Sequence, residues 1–406
     1  MGIKVSIIMP SYNRYPLNLL SLYALEYQKF DLSKMEVILV DDASSDDTPL
    51  LETYNPPYSF KYVRNKKRRG VSYSRNQGLK KAKGGIIIFL DAEMVVDPKY
   101  VEYNYRHHLT NEQAVVFNMG GMKVYSYLFP EFNTEQMNGV RHFAKINPSA
   151  GDRLKLYRQQ IMDPSNIANY IKRIKEPVPL LDKKNMKSFS QIKPFVVRSP
   201  FAAKLHKMGG DIERCHLPWL VCGGNISLKK AVIDAVGGYD EDFTGWGAED
   251  TEFAFRLHKA GIKFVIDPDL TRYHQEHPVL PTKKSEAKKN RVLLRKKHPV
   301  FDTYLVSVHK IYGIKYKFMN ECVKHYYSLN RKFPGRYKEF NEALVLMLRQ
   351  SFILQSQNKR IRKLLRKSGL EADPSAKKLI FSQRDEILAS GKYRSLVKLF
   401  DILSKT

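Results

Sequence analysis

The sequence predicts an α/β chain, with a mostly parallel central sheet covered by helices on both faces and a basic, mainly helical C-terminal region after it. Three observations carry this reading. From Lys4 to about Met119, short apolar runs alternate with helical patterns. Those runs are continuously apolar, as strands buried on both faces are. Beyond residue 280 the periodicity is helical and the charge strongly positive.

Taken in order, the predicted strands are Val5 to Met9, Glu36 to Val40, Phe60 to Val63, Ile86 to Leu90 and Ala114 to Phe117. Leu17 to Gln28, Thr48 to Tyr54, Val71 to Lys83 and Pro98 to Leu109 read as the helices between them. Residues 123–215 have weaker periodicity and many Lys, Arg, Pro and Tyr, and read as a long insertion with some helix. The α/β character returns at Leu220 to Leu228, followed by a helix from Lys229, a loop at Gly245 to Asp250 opening another helix, and a strand at Lys263 to Ile266. A boundary near 280 divides a domain over 1–280 from the region 281–406, where Ala343 to Ile353 and Ser395 to Leu403 read as helices.

Composition narrows the classes further. The chain has three cysteines, Cys215, Cys222 and Cys322, without paired spacing. This excludes a disulfide framework and a zinc knuckle and fits a reducing compartment. The first apolar run is too short for a signal peptide, and no segment approaches the ~20 apolar residues of a membrane span. The expected location is the cytoplasm, with peripheral attachment to the inner face of the membrane. Of the net charge of +28, most lies late: from Pro281 to Thr406 there are 30 Lys and Arg against 10 Asp and Glu. Such a region suits anionic lipid, an anionic glycan or nucleic acid, and equally a solvated helical face. No aromatic-basic motif favours nucleic acid.

In open α/β sheets, functional groups gather just past the carboxyl ends of strands. The first strand ends in Pro10-Ser11-Tyr12-Asn13-Arg14 and the second in Asp41-Asp42-Ala43-Ser44. Acidic residues there suit hydrogen bonds to a ribose or base edge, though Asp and Ser are also ordinary turn residues. The fourth strand ends in Asp91-Ala92-Glu93, whose two carboxylates offer hard oxygen ligands for Mg²⁺ or Mn²⁺. No Gly-rich phosphate loop follows any strand, so metal and arginine must meet a phosphate instead. Arg75, in the first turns of its helix, is placed to do so, whereas Lys66 to Arg69 read as a solvated loop. After the last core strand, His274 or His277 offers a third metal ligand.

The stretch Gly245-Trp246-Gly247-Ala248-Glu249-Asp250 sets two carboxylates at a helix start beneath a Gly-flanked indole. Negative charge there is favoured by the helix dipole, which leaves a plain capping role open. The flanking glycines leave room for a ligand to approach, and an exposed Trp beside a carboxylate can hold a sugar ring.

Together these residues resemble the inverting family-2 glycosyltransferases of the GT-A fold. The carriers are Ile7 to Arg14, Val40 to Ser44, Gly70 to Asn76, Asp91-Ala92-Glu93 and Gly245 to Asp250. Cys222 to Glu276 is similar to the catalytic half shared by β-galactosyltransferases and bacterial chondroitin polymerases. The resemblance covers residues 1 to about 280. It implies a nucleotide-diphosphate sugar donor, most often UDP-linked, a glycan acceptor in surface polysaccharide synthesis, and Mn²⁺ or Mg²⁺. By position it assigns Pro10, Tyr12, Arg14 and Asp42 to the nucleotide and Arg75 to nucleotide or diphosphate. In the D-x-D-like Asp91-Ala92-Glu93, Asp91 falls to ribose or metal and Glu93 to metal, the extra methylene of Glu93 moving the ligand oxygen. His274 falls to the metal and Gly223, Gly224 and Asn225 to the donor sugar. Trp246 and Gly247 fall to the acceptor, Asp250 to the catalytic base, and Glu249 to acceptor hydroxyls or the loop itself. The alternatives are a glycan- or nucleotide-sugar-binding protein without turnover and, against the Trp246 to Asp250 motif, nucleotidyl transfer.

Overall fold

In a computed structural model of the chain, residues 2–147, 154, 163–198, 212, 215–308 and 314–406 are described. Part of the insertion expected at 123–215 falls outside them. The chain divides into two compact units, Met1–Ile212 with Trp219–Ala287, and Glu213–Pro218 with Lys288–Thr406.

The strands of the first unit are β1 (Val5–Ser11), β2 (Met35–Asp41), β3 (Ser59–Arg64), β4 (Ile86–Phe89), β5 (Met94–Val96), β6 (Ala114–Phe117), β7 (Met122–Val124), β8 (Tyr127–Leu128), β9 (Val178–Pro179), β10 (Val196–Arg198), β11 (Ile226–Lys229), β12 (Lys263–Ile266) and β13 (Arg272–Gln275). Seven form a sheet in the order β12-β6-β11-β4-β1-β2-β3. Strands β1 to β4 run parallel, as do β6 and β12, whereas β11 is antiparallel to both its neighbours. Every residue of β1 and β2 is buried, which accounts for their largely apolar character. Glu36 is buried in β2 because it has partners: Ser6 Oγ donates to it at 2.5 Å and the Lys83 amide at 2.6 Å.

The longer helices of this unit are α1 (Leu17–Glu26), α2 (Val71–Lys81), α3 (Tyr100–Thr110), α4 (Thr134–Ile146), α5 (Pro164–Arg173), α6 (Lys230–Val236), α7 (Glu249–Lys259) and the start of α8 (Lys283–Lys297). Helix α2 packs on β1 and β2, and α3 on β4, β6 and β11. The helix expected at Thr48 to Tyr54 is instead a 3₁₀ turn, Thr48–Thr53, with Pro49 near its start. Only Thr48 and Leu51 are buried in it, three residues apart, which suits the tighter turn. The strand expected from Leu220 shortens to β11, since Pro218–Leu220 form a 3₁₀ turn and the Gly223-Gly224 pair interrupts regular structure.

A second sheet, β10-β7-β13-β5, sets His274 of β13 opposite Met94 of β5. The Gln275 amide donates to the Glu93 carbonyl at 3.0 Å. Residues 180 positions apart in sequence are thereby fixed side by side.

The second unit is helical, its longer helices being α9 (Phe301–Val308), α10 (Tyr316–Lys332), α11 (Lys338–Ser356), α12 (Pro374–Ala389) and α13 (Arg394–Ser404). Helix α11 packs on α9, α12 and α13, with the Phe340 and Phe400 rings stacked at 5.3 Å between centroids. Among the described residues no helix is long and apolar enough to cross a membrane.

Candidate active site

Helix α7 carries the two carboxylates. Phe253, Ala254, Phe255 and Leu257 bury one side of it, and Gly261 ends it at φ +76°. Its N-cap is Ala248, held at φ +70° with no side-chain capping bond, and the first-turn Thr251 N–H is met instead by Asp250. Both lie in the first turn, where the helix dipole favours their charge. Gly245 and Gly247 are also left-handed, at φ +77° and +95°, and Trp246 stands between them half exposed. This run of positive φ explains the glycine spacing.

A buried arginine joins this helix to the end of β4. Arg75 donates through Nη2 to Asp91 Oδ1 at 2.9 Å and through Nη1 to Glu249 Oε1 at 3.3 Å. Beneath it lies Tyr239, with the guanidinium carbon 4.7 Å from the ring centroid. A Cβ on Gly224 would stand 2.4 Å from Arg75 Nη2, so only glycine leaves the guanidinium where it is. Asn225 completes the cluster, donating to Asp91 Oδ2 and accepting the Asp91 amide, both at 2.8 Å.

Electrostatics divide the carboxylates. Burial and the neighbouring Asp250 push Glu249 up to about 7 against the pull of Arg75. Its Oε2 is buried without a hydrogen-bond partner. Burial also raises Asp250, while Arg75 and the Thr251 amide oppose the rise. Asp250 Oδ1 accepts from Thr251 N at 2.7 Å, and Oδ2 has no hydrogen bond among the described residues.

A second cluster forms where β5 and β13 meet. Glu93, His274 and His277 each offer a ligand atom within 4.8 Å of the others. Burial alone would raise the Glu93 carboxyl, yet Arg14, with Nε at 3.2 Å, and the two imidazoles hold it well below the usual carboxylate range. The far ring nitrogens are oriented too: His277 Nδ1 lies 2.9 Å from the Pro278 carbonyl and His274 Nδ1 3.7 Å from Glu276. Glu276 is itself held down to about 2, against burial, by His274 and by Lys123 at 3.2 Å. Two imidazoles and a carboxylate, each with an outer partner, fit a divalent transition ion.

Residues 6–166 match the family model described as glycosyl transferase family 2, and residues 203–278 match one described as the N-terminal domain of galactosyltransferase. Over residues 6–166 the chain carries a family-2 glycosyltransferase domain. It is 30% identical over 277 residues to an uncharacterized glycosyltransferase of Bacillus subtilis, covering 68% of this chain and 65% of that one. It is 28% identical over 265 residues to validoxylamine A glucosyltransferase of Streptomyces hygroscopicus, covering 64% and 53%. With the chondroitin synthase of Escherichia coli it shares 26% over 311 residues, covering 73% and 39%. The chain thus spans less than two thirds of the length of these relatives. Among solved structures, S. aureus TarS in complex with UDP matches at TM-score 0.44 and 13% identity, over 98% of this chain and 91% of that one. A likeness that distant says nothing of ligands.

In the structure the residues expected from sequence keep different company than their motifs imply. Asp91 and Glu93 do not share one cluster: Asp91 is engaged by Arg75 and Asn225, while His277 stands with Glu93 and His274. Arg75, expected at a phosphate, has both terminal nitrogens on carboxylates. Asp42, expected at the nucleotide, accepts from Asn65 Nδ2 and from the amides of Arg69 and Gly70, and so holds the loop before α2. Gly70 in turn comes close to Gly245, so that loop and the Trp246 loop pack together. Arg14 turns back on the carbonyls of Tyr12 and Asn13 as well as on Glu93, and Arg68 covers the Tyr12 ring at 4.2 Å. Pro10 and Ala92 are buried in the frame. Gly223 has open space around it and Gly247 packs against Ala287.

Lys123, Glu276, Tyr239 and Lys283 were not legible as site residues. His277 had a signal, three residues after His274. Lys283 had none: it reads as one of many tail lysines, yet it lies over the Trp246 ring, its ammonium lowered by burial and by Arg14.

Proposed function

We propose that the chain transfers a sugar from a nucleotide-diphosphate donor, UDP-linked as in most of the family, to a glycan hydroxyl with inversion at the anomeric carbon. The observation that carries this is the single buried guanidinium of Arg75, which bridges Glu249 beside the exposed Trp246 to Asp91 at the sheet's carboxyl edge. One rigid contact thus ties an acceptor-side carboxylate to a donor-side one.

Asp250 is the base in this reading. Its unbonded Oδ2 takes the proton of the acceptor hydroxyl as that oxygen forms its bond to the anomeric carbon. The bond from that carbon to the phosphate oxygen breaks, and the diphosphate leaves with the electron pair. Glu249, buried and held by Arg75, orients the loop beside it, and Trp246 offers its ring face to the sugar. Asn225 and Arg75 orient Asp91 toward the donor ribose. When held by Glu93, His274 and His277, a divalent cation supplies electrostatic stabilisation to the departing diphosphate. The two imidazoles favour Mn²⁺ over Mg²⁺, which prefers oxygen ligands.

The domain division follows the same reading: 1–280 is catalytic, joined by Lys283 and Glu286 at the start of α8, and the rest of the positive region 281–406 docks to an anionic surface, with the cytoplasmic leaflet of a membrane as its site. Salt-dependent retention on vesicles containing phosphatidylglycerol checks the docking. The activity is tested by a panel of nucleotide sugars incubated with Mn²⁺ and glycan acceptors. Release of nucleoside diphosphate coupled to acceptor supports it, and no release from any donor refutes it. Asp250→Asn must lose transfer while still binding nucleotide, and an unchanged rate would remove Asp250 from its role.

A further inference from the structure

Lys283 opens α8 with its ammonium 4.2 Å from the centroid of Trp246. Trp246 is 51% exposed, and Lys283 lies across one face of its ring, a face a sugar could otherwise stack on. One turn later, Glu286 accepts the Trp246 amide N–H at 2.8 Å. The same turn of helix therefore fixes the loop by its backbone and covers its ring by a cation.

The cation has somewhere else to go. Lys283 is within electrostatic reach of Arg14, Glu276, Glu93 and Lys123. Arg14 is paired with Glu93 at 3.2 Å and Lys123 with Glu276 at 3.2 Å, whereas Lys283 makes no ion pair among the described residues. Among the described residues it is a positive charge within reach of Glu93 that makes no ion pair. An ammonium over a half-exposed indole is held weakly, and a charge-assisted bond to a phosphate oxygen is stronger.

We propose that Lys283 couples the donor site to the acceptor site: a diphosphate arriving beside Glu93, His274 and His277 draws the ammonium off Trp246, and the uncovered ring becomes the stacking face for the acceptor sugar. This rests on the transferase reading above. Lys283 is then a positioning residue whose two contacts exclude each other, so acceptor affinity rises only once the diphosphate is bound. Binding of donor before acceptor follows from that exclusion.

The chain's tryptophans make this measurable. There are two, Trp219 being buried and Trp246 exposed. Acrylamide quenching of the full-length protein is expected to increase when inorganic pyrophosphate and Mn²⁺ are added, and the increase is expected to vanish in Trp246→Phe. In Lys283→Ala, quenching should start high and not respond to pyrophosphate, and donor KM should rise roughly tenfold or more. Lys283→Arg should restore both the response and KM, which a merely structural role would not predict. The proposal is overturned if pyrophosphate does not bind the wild type by calorimetry, if it binds without changing Trp246 quenching, or if Lys283→Ala responds as the wild type does. The transferase reading fails by a separate result, when the wild type neither hydrolyses nor transfers from any nucleotide sugar.

Discussion

Asn225 holds Asp91 at two points, its side-chain oxygen on the Asp91 amide and its amide nitrogen on Asp91 Oδ2, each at 2.8 Å. The pair exists because β11 runs antiparallel beside β4, with Ile226 opposite Phe89, so that the residue before one strand meets the residues after the other.

Asn225→Asp replaces the donor to Asp91 with a second carboxylate. Losing a charge-assisted bond and gaining a like charge should lower kcat/KM for the donor at least about tenfold, or ~1.4 kcal/mol in transition-state stabilisation. Steady-state kinetics with a nucleotide sugar check it. A variant with wild-type kcat/KM would show that the orientation of Asp91 is immaterial.

Glu249 should leave a signature in stability. Its folded value, about 7, is above the ordinary carboxylate value because of burial and Asp250. A raised acid stabilises the fold fully below its unfolded value, and that contribution is lost as pH rises through the folded value. The wild type should therefore lose stability between pH 5 and pH 8 by an amount that Glu249→Gln does not, with each pKa unit worth ~1.4 kcal/mol. Thermal unfolding at both pH values measures the difference. The same pH dependence in both proteins would contradict the assignment.

Metal affinity should follow the Glu93 cluster rather than the motif. His277→Ala removes a ligand atom, and Glu276→Gln loosens the orientation of His274, a kind of outer-partner loss that typically costs about 10–100-fold in affinity. Both variants should bind Mn²⁺ more weakly by calorimetry. Wild-type affinity in His277→Ala would leave the ion to Glu93 and His274 without it.

The adjacent glycines should respond differently to alanine. Gly224→Ala sets a Cβ against Arg75 Nη2, and displacing a buried guanidinium from its carboxylates approaches the ~3–5 kcal/mol of a broken buried pair. Gly223→Ala meets nothing within 4 Å and should unfold at the wild-type temperature. Calorimetric scans of the two variants suffice, and equal melting temperatures would refute the close-approach argument.

Local patterns made much of this legible. The apolar runs of β1, β2, β4 and β6 predict the sheet, the strand-end motif names Asp91 and Glu93, the helix start names the Glu249-Asp250 pair, and the family resemblance adds Asn225. What a motif cannot state is which partner a side chain finds. Asp42 reads as a ribose contact from its position after β2, yet both its oxygens are engaged by Asn65 and the amides of Arg69 and Gly70. Lys283 reads as a tail lysine, because its contact with Trp246 spans a gap that only the packing of α8 closes. Ala248, a non-glycine in the left-handed region, was equally silent, since the strain at such a residue is imposed by the fold around it.

The antiparallel strand has a consequence for the order in which the molecule is made. On the ribosome, β1 to β4 can pair as soon as residue 89 has emerged, but β6 finds its neighbour on that side only when residues 226 to 229 have been synthesised. Until then the nascent sheet stops at β4. Asp91 exists early and its grip late, so the Asp91 side of the cluster is completed only by the return of the chain.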